Sequence, residues 1–338
     1  MDAFAIHGGR LSQARAAFPL APEPWLDLST GISPWPYPAR FAGAGDQARL
    51  PDPEELAALE AAAAHAFGLP PACVLATAGA EAGARLLASS LGAGRVGVAE
   101  PAYSGHRSAW AAVGAEVVSF GRDRLDEAVE GCGALVLVNP NNPDGAVIPT
   151  GRLAALAERA ATQGVWLVVD EAFVDAAPGL SVSALMAAGW TAPRLIALRS
   201  FGKFYGLPGV RLGFVTAYPD VIALLRSRLG DWPVSADAIA AGTQAYADGA
   251  WADAARGRLA KAADRLDSLL RRAGFDIVGG AALFRLAAVD DAAARFRRLA
   301  ERGVLTRPFA YNPCWLRFGL PAPDQWTRLE TALMETAP

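Results

Sequence analysis

The fold of this chain is decided by the stretch Ser200-Phe201-Gly202-Lys203-Phe204-Tyr205-Gly206-Leu207-Pro208-Gly209-Val210-Arg211-Leu212-Gly213-Phe214. It follows the apolar run Leu195-Ile196-Ala197-Leu198, which is typical of a buried strand that ends in a polar turn. Lys203 lies between two glycines and is followed, further along the same loop, by Arg211. The stretch can therefore present one amine and one cation to a single small anionic molecule.

Two interpretations of this stretch are open from its residues alone. Lys203 could be a Schiff-base lysine that binds pyridoxal phosphate. Alternatively, it is a solvated surface lysine beside a loop arginine, because short motifs match many unrelated proteins. The rest of the chain has to decide between them.

The composition favours a globular protein that binds a small molecule. The chain has 338 residues, 53% of them apolar, which is enough for two domains or one large α/β domain. Its net charge of −3 gives no reason to expect nucleic acid or an anionic membrane as a partner. The three cysteines have no paired short spacing, so neither a disulfide framework nor a metal site is predicted. With no signal-peptide pattern in residues 1–10 and no long apolar run, we expect a cytoplasmic protein.

The chain is predicted to have three parts. Residues 1–45 are rich in Gly and Pro and are interpreted as an N-terminal arm that packs with the small domain. Residues 46–240 form a large domain and residues 241–338 a small α+β domain with an antiparallel sheet. The boundary falls within a long helical stretch, predicted from about Ala236 to Ala273. A helix near the start of the large domain is predicted to have Asp52 as N-cap, Glu55 closing a capping box and Gly68 at its end.

Apolar strands alternate with amphipathic helices between residues 74 and 200, which indicates an α/β fold with a mostly parallel sheet covered on both faces. Ligands in such folds bind beyond the carboxyl ends of the strands. Polar groups follow three of the predicted strands: the segment Asn139–Gly145, the pair Asp170-Glu171, and Lys203.

Two weaker signals precede these strands. Gly79-Ala80-Glu81 lies between an apolar run and a helix, where free backbone N–H groups and the helix dipole attract phosphate. An ordinary tight turn is the alternative. Tyr103 ends another strand and is a core or rim residue unless a flat ligand lies beside it.

Taken together, these elements resemble the fold-type I pyridoxal-phosphate enzymes, the aspartate aminotransferase family, over nearly the whole chain. The elements that carry the resemblance stand in the family's order and are Gly79-Ala80-Glu81, Tyr103, Asn142-Pro143-Asp144-Gly145, Asp170-Glu171-Ala172, Ser200-x-x-Lys203, Arg211 and Arg317. A chance match of seven ordered elements is far less frequent than a match of one.

The resemblance implies pyridoxal 5'-phosphate as cofactor and a role for each element. Lys203 would form the Schiff base and move protons, and Asp170 would pair with the pyridine nitrogen. Asn142 would donate a hydrogen bond to the phenolic oxygen, and Tyr103 would stack on the ring. The residues expected at the cofactor phosphate are Gly79, Ala80, Glu81, Ser200 and Arg211.

The resemblance also implies substrate-binding residues. Arg317 would meet the substrate α-carboxylate, unless it is an isolated surface arginine. The further substrate-binding candidates are His7, Gly8, Gly9, Gly31, Asn142 and Arg307. The alternative for His7 is a surface or capping histidine in the arm.

Three positions depart from the family pattern. Residue 202 is Gly where a Ser or Thr often adds a phosphate contact, and Phe173 replaces a Tyr that bonds the phenolic oxygen. Leu50 stands where relatives often carry a Tyr that reaches the phosphate of the neighbouring subunit. We still expect a homodimer.

Two branches of the family compete, the histidinol-phosphate aminotransferases and the L-threonine-O-3-phosphate decarboxylases of cobalamin biosynthesis. The arm, with His7-Gly8-Gly9-Arg10 and residues 25–36, is similar to the decarboxylase branch, as is Leu316–Pro321. The sequence therefore favours decarboxylation of a small phosphorylated amino acid, with aminotransfer as the alternative. A non-catalytic binding protein on the same scaffold is disfavoured, because it would not need Lys203 and Asp170 together.

Overall fold

The computed structural model describes Phe4, residues 7–187 and residues 192–337. The chain divides into two compact units. The small unit comprises Met1–Pro36, Pro143–Ala146 and Ala254–Pro338, and the large unit comprises Tyr37–Asn142 and Val147–Asp253. The three-part boundaries given above stay a prediction.

The strands and helices follow one another as the hydrophobic pattern requires. The strands are β1 (Leu26–Asp27), β2 (Val74–Thr77), β3 (Arg95–Ala99), β4 (Glu116–Phe120), β5 (Ala134–Val138), β6 (Trp166–Asp170), β7 (Leu195–Ser200), β8 (Gly213–Thr216), β9 (Asp276–Ala281), β10 (Phe284–Ala288), β11 (Val304–Leu305), β12 (Arg307–Phe309) and β13 (Asn312–Gly319). The α-helices are α1 (Leu11–Ala17), α2 (Ala44–Gln47), α3 (Pro53–Phe67), α4 (Ala80–Leu91), α5 (Gly105–Ala111), α6 (Leu125–Gly131), α7 (Thr150–Thr162), α8 (Ser183–Ala187), α9 (Phe201–Phe204), α10 (Pro219–Leu229), α11 (Ala236–Ala247), α12 (Gly249–Arg272), α13 (Ala292–Glu301) and α14 (Trp326–Glu335). Short 3-10 turns lie at Pro71–Cys73, Val174–Ala176, Pro178–Leu180, Pro208–Val210 and Pro323–Gln325.

A seven-stranded sheet forms the centre of the large unit, in the order β2-β8-β7-β6-β5-β3-β4. The strands from β7 to β4 pair in parallel, whereas β8 runs antiparallel to both β2 and β7. On one face of this sheet, Leu87, Trp110 and Leu225 from α4, α5 and α10 join a buried cluster with strand residues such as Val136. The predicted mostly parallel α/β sheet is confirmed.

The small unit contains an antiparallel sheet in the order β12-β13-β10-β9, as predicted. Its N-terminal segment is tied to it by a second pairing, because β1 runs parallel to β11. The amide of Gly319 also donates to the carbonyl of Leu28 at 2.6 Å. The arm is therefore part of the hydrogen-bonded structure of this unit.

One local prediction is confirmed in outline and one is wrong. The predicted helical stretch is present as two helices that meet at Asp248, whose carboxylate accepts a hydrogen bond from the amide of Trp251 at the start of the second helix. Glu55 closes no capping box, since its carboxylate pairs with Arg49 at 2.7 Å. The N-cap at Asp52 and the left-handed Gly68 at the helix end are as predicted.

Neither a membrane span nor a metal site is found in the described residues. None of the helices there combines the length and the apolar character that crossing a bilayer requires. In the same residues, no three His, Cys, Asp or Glu side chains group as ligands of a metal ion would.

Replacing Gly145 by Ala should destabilise the protein by about 3 kcal/mol. Gly145 has a φ of +68°, and a Cβ there would lie 2.0 Å from the carbonyl carbon of Gly280. Gly151→Ala is the matched control, because no atom lies within 4 Å of its added Cβ, and it should be neutral or slightly stabilising. Urea unfolding of both variants measures the difference; equal midpoints would contradict the close approach at Gly145.

Candidate active site

The start of α4 forms a cradle for an anion. Gly79 precedes this helix with a φ of +97° and provides no side-chain cap, so the first amides of the helix need another partner. A Cβ on Gly79 would lie 2.9 Å from Nη2 of Arg211, so the guanidinium lies directly against this glycine. Arg211 itself adopts a left-handed φ of +56°. A guanidinium beside an uncapped helix start is an arrangement that can hold a phosphate.

The amide of Gly79, which was predicted to contact the phosphate, has a partner within the chain. It donates to the carbonyl of Thr77 at 2.7 Å. The roles predicted for the amides of Gly79, Ala80 and Glu81 at the phosphate stay a prediction.

Asn142, Asp170 and Ser200 lie at one edge of the sheet. Strands β5, β6 and β7 are adjacent and parallel, and the three residues end these strands or follow them. Asp170 is 6% exposed, whereas Asn142 and Ser200 are half-buried. This edge therefore presents an amide, a carboxylate and a hydroxyl side by side.

Asp170 is held by a histidine that sequence reasoning missed. Its Oδ2 lies 2.7 Å from Nε2 of His106, which is 2% exposed, and its Oδ1 accepts a hydrogen bond from the amide of Ala172. Since a carboxylate oxygen accepts, Nε2 of His106 is the donor. The signal in the sequence was slight: one histidine, three residues after Tyr103. Two donors fix the orientation of this carboxylate.

Tyr103 is held by Glu81. Its hydroxyl donates to Oε2 of Glu81 at 3.2 Å, and Oε1 of Glu81 pairs with Arg85. Burial and the neighbouring Glu81 charge raise the pKa of Tyr103 to about 12. The phenol therefore stays neutral at ordinary pH, with its ring fixed at a strand end.

Lys203 lies on the short helix α9, which aromatic packing holds on both sides. Phe201 stacks on Tyr205 with a centroid distance of 4.8 Å, and Tyr205 stacks on Trp251 at 5.6 Å. Phe204 contacts the edge of Trp251 at 5.8 Å. Lys203 itself is half-buried. Aromatic packing thus fixes the backbone that carries Lys203, and its assignment as the Schiff-base lysine stays a prediction.

The positions that depart from the family pattern have different surroundings. A Cβ on Gly202 would lie 2.6 Å from the Cα of Pro208, so the backbone leaves no room for a serine. Phe173 is 5% exposed, whereas Leu50 is 63% exposed. The missing hydroxyl at residue 202 is therefore imposed by the neighbouring turn.

An open cavity of about 570 Å³ lies next to the cradle in the large unit. Ala78 and Arg211 line it on the side of the cradle, and Arg49, Pro51 and Trp232 line it elsewhere. The side chain of Trp232 is 55% exposed. The cavity thus joins a cationic group to an exposed apolar surface.

The small unit brings two of the predicted substrate-binding arginines together. Arg307 and Arg317 are direct partners in the pairing of β12 with β13, so their side chains project from the same face. Arg317 is 3% exposed, which excludes the interpretation as a surface arginine. Burial, and then the charge of Arg307, lower the pKa of Arg317 well below its usual value.

The arm fixes the position of Arg317. Its Nη2 donates to the carbonyl of Ser29 at 2.8 Å, and its guanidinium lies over the ring of Phe284. The side chain of Ser29 also contacts the arm, because its Oγ accepts a hydrogen bond from the amide of Gly9 at 2.8 Å. A Cβ on Gly8 would lie 2.3 Å from the Ser29 carbonyl oxygen, so Gly8 packs closely against the same residue. The other predicted arm residues are half-buried His7 and buried Gly31.

Comparison with known proteins identifies the family. The family model for aminotransferase class I and II matches residues 38–337. The chain therefore belongs to the class I and II aminotransferase family, whose cofactor is pyridoxal phosphate.

Two relatives match nearly the whole chain. It is 40% identical to the threonine-phosphate decarboxylase of Pseudomonas aeruginosa, over 97% of each chain. It is 39% identical to that of Sinorhizobium sp, over 96% of this chain and 95% of the relative. The histidinol-phosphate aminotransferase of Rhodopirellula baltica is 31% identical over 78% of this chain and 75% of its own.

Solved structures share the fold. The histidinol-phosphate aminotransferase of Sinorhizobium meliloti, in complex with pyridoxal-5'-phosphate, aligns with a TM-score of 0.82 at 21% identity, covering 96% of this chain and 93% of its own. The L-threonine-O-3-phosphate decarboxylase of Porphyromonas gingivalis aligns with a TM-score of 0.74 at 21% identity, over 86% and 93%.

Titration of tyrosine absorbance should separate Tyr103 from an ordinary phenol. Because its folded-state pKa is about 12, Tyr103 keeps its proton above pH 10, where the unfolded chain loses it. The folded state therefore loses stability as pH rises from 10 to 12. The difference in phenolate absorbance between wild type and Tyr103→Phe should have a midpoint near 12; a midpoint near 10 would contradict the burial of this group.

Restoring a hydroxyl at residue 202 should weaken the site. Gly202→Ser places its Cβ against the Pro208 backbone, so we expect a loss of about 2 kcal/mol in stability and no gain in affinity for pyridoxal phosphate. Gly209→Ala in the adjacent turn is the control, since nothing lies within 4 Å of its Cβ. Cofactor titration and thermal unfolding measure the affinity and the stability of both variants. Tighter cofactor binding by Gly202→Ser would contradict the steric conflict with Pro208.

Proposed function

We propose that this protein catalyses the decarboxylation of L-threonine O-3-phosphate, which releases CO2 and yields (R)-1-amino-2-propanol O-2-phosphate. The observation that carries the proposal is the pair Arg307 and Arg317 on neighbouring strands. Like charges placed opposite each other in a sheet repel, and an anion bound beside them would reduce that repulsion. Threonine phosphate offers two anions at once, a carboxylate and a phosphate, and the planar fork of arginine suits both.

The relatives support decarboxylation over aminotransfer. Two threonine-phosphate decarboxylases match almost the whole chain at about 40% identity, whereas the histidinol-phosphate aminotransferase cited above is less similar and matches a smaller part. Histidinol phosphate carries a phosphate but no carboxylate, so it offers one anionic group where threonine phosphate offers two. Aminotransfer is therefore the weaker candidate.

The cofactor fits the cradle of the large unit. Arg211, Ser200 and the amides of Ala80 and Glu81 would hold its phosphate, with Gly79 leaving room for the guanidinium. Lys203 would bind it covalently. The residues proposed for its remaining edges are Asp170 at the ring nitrogen, Asn142 at the phenolic oxygen and Tyr103 on the ring face. With residue 173 a phenylalanine, the phenolic oxygen depends more on Asn142.

In the proposed reaction, pyridoxal phosphate supplies an electron sink for the pair of electrons left on the substrate Cα when a bond there breaks. Arg317 and Arg307 would bind the two anionic groups of the substrate and so limit the orientations of its carboxylate. Asp170, oriented by His106, keeps a proton on the ring nitrogen. After CO2 leaves, the ammonium group of Lys203 gives a proton to Cα and regains one from solvent.

We further propose that the enzyme acts as a cytoplasmic homodimer in cobalamin biosynthesis. Exposed Leu50 and Trp232, close to a cavity that reaches Arg211, support a surface that a second copy of the chain covers. The product, a phosphorylated amino alcohol, is the linker compound of the cobalamin nucleotide loop.

Purified protein with pyridoxal phosphate should release CO2 from L-threonine O-3-phosphate without any keto acid. Lys203→Ala should lose both the visible absorbance of the bound cofactor and CO2 release. Glutamate formation from 2-oxoglutarate and histidinol phosphate, with no CO2 from threonine phosphate, would overturn the proposal in favour of aminotransfer.

The same assay should test whether Arg307 binds the substrate. Arg307→Gln is expected to raise KM for threonine phosphate by roughly tenfold or more, because one of two charge-assisted contacts is lost. Arg302→Gln is the control, since Arg302 forms a surface pair with Glu335 and should leave KM unchanged. An unchanged KM in Arg307→Gln would remove this residue from the substrate site.

A further inference from the structure

A cluster of charged side chains is buried beneath the cofactor edge of the large unit. Arg199 donates through Nη2 to Asp175 and approaches Oε2 of Glu171 with Nη1 at 3.4 Å. The side chains of these three residues are 4%, 8% and 0% exposed. None of them takes part in the chemistry proposed above.

The carboxylate of Glu171 is bound from several sides. Its Oε2 accepts from the hydroxyl of Ser181 at 2.8 Å, and its Oε1 accepts from the amide of Val182 at 2.6 Å. Ser181 Oγ in turn accepts from Nη1 of Arg199 at 3.2 Å. Glu171 thus has one defined orientation.

Burying these charged side chains carries a desolvation penalty, so the cluster is a poor means of stabilising a core. The guanidinium lies 4.0 Å from the ring centroid of Phe67, and its Nε has no hydrogen-bond partner among the described residues. Burial raises the pKa of Glu171 despite the charge of Arg199. Because apolar side chains of similar volume often stabilise such a position as well or better, stability alone is a poor account of three buried charges.

The cluster connects the two strand ends that carry the cofactor residues. Glu171 directly follows Asp170, and its amide donates to the carbonyl of Leu198 on β7. Arg199 directly precedes Ser200. A Cβ on Gly213 would meet the carbonyl of Arg199 at 2.8 Å and the amide of Ala80 at 2.4 Å, so Gly213 lies close both to the Arg199 backbone and to the start of α4.

We propose that Glu171, Arg199 and Asp175 form a positioning network that holds Asp170, at the ring-nitrogen end, in register with Ser200 and Lys203, at the phosphate and Schiff-base end. The inference rests on the cofactor placement in the proposed function. It makes Arg199 a positioning residue, which acts through the backbone of its neighbours and touches neither cofactor nor substrate. An ammonium group in its place cannot bridge both carboxylates with the same geometry.

The test compares Arg199→Lys and Glu171→Gln with Asp267→Asn, which breaks the partly buried pair of Asp267 with Arg285 in the small unit. Three quantities are measured: thermal unfolding, the pH midpoint of the visible band of the bound cofactor, and kcat with KM. We expect Arg199→Lys to shift the band midpoint by about 0.5 pH unit or more. We expect kcat to fall roughly tenfold to a hundredfold, because small displacements at a reacting centre have effects of this size, with KM little changed.

Asp267→Asn should lower the unfolding temperature and leave the band and kcat as in the wild type. If Arg199→Lys and Glu171→Gln do the same, the network is merely structural and the inference is wrong. If Arg199→Lys does not fold, Glu171→Gln, which keeps the side-chain shape, decides by the same criteria. The visible band depends on the bound cofactor and not on the substrate. A wild-type protein with a normal band but no CO2 release would therefore refute the proposed function. The band shifts of the variants would still test the network in that case.

Discussion

The parallel pairing of β5, β6 and β7 is the constraint on which the site depends. Parallel strands end at the same edge of a sheet, so side chains far apart in sequence become neighbours there without any long-range loop to position them. The register places Val138 opposite Asp170, and Asp170 opposite Leu198. A slip of one residue would turn the carboxylate to the opposite face of the sheet, away from His106.

The two units differ in how their charged side chains are arranged. In the large unit, four carboxylates near the cofactor edge each have a cationic partner or a directed donor: His106 for Asp170, Arg85 for Glu81, and Arg199 for Glu171 and Asp175. The small unit instead places two cations opposite each other. This is the position proposed above for the two anionic groups of the substrate.

Much of the fold could be predicted because its signals are local. Unbroken apolar runs identified the strands, and the polar residues after them identified the cofactor edge. His106 could not be found in this way, since one histidine on a helix has no periodic signal. The break at Asp248 was hidden because alanine-rich sequence favours helix on both sides of it. The hydrogen bond from the amide of Gly79 to the carbonyl of Thr77 was likewise not predicted. The buried network was also missed, although alternation along β7 puts Arg199 on the face opposite Ser200.

The turn at Pro208 has a consequence for how this sequence can change. Gly202 faces the Cα of Pro208, and the same turn leads directly into Arg211. A serine at residue 202 could be accommodated only if that turn moved, and Arg211 stands at the end of the same turn. One short loop thus both limits the size of residue 202 and sets the backbone of Arg211. A change at either position therefore bears on the other.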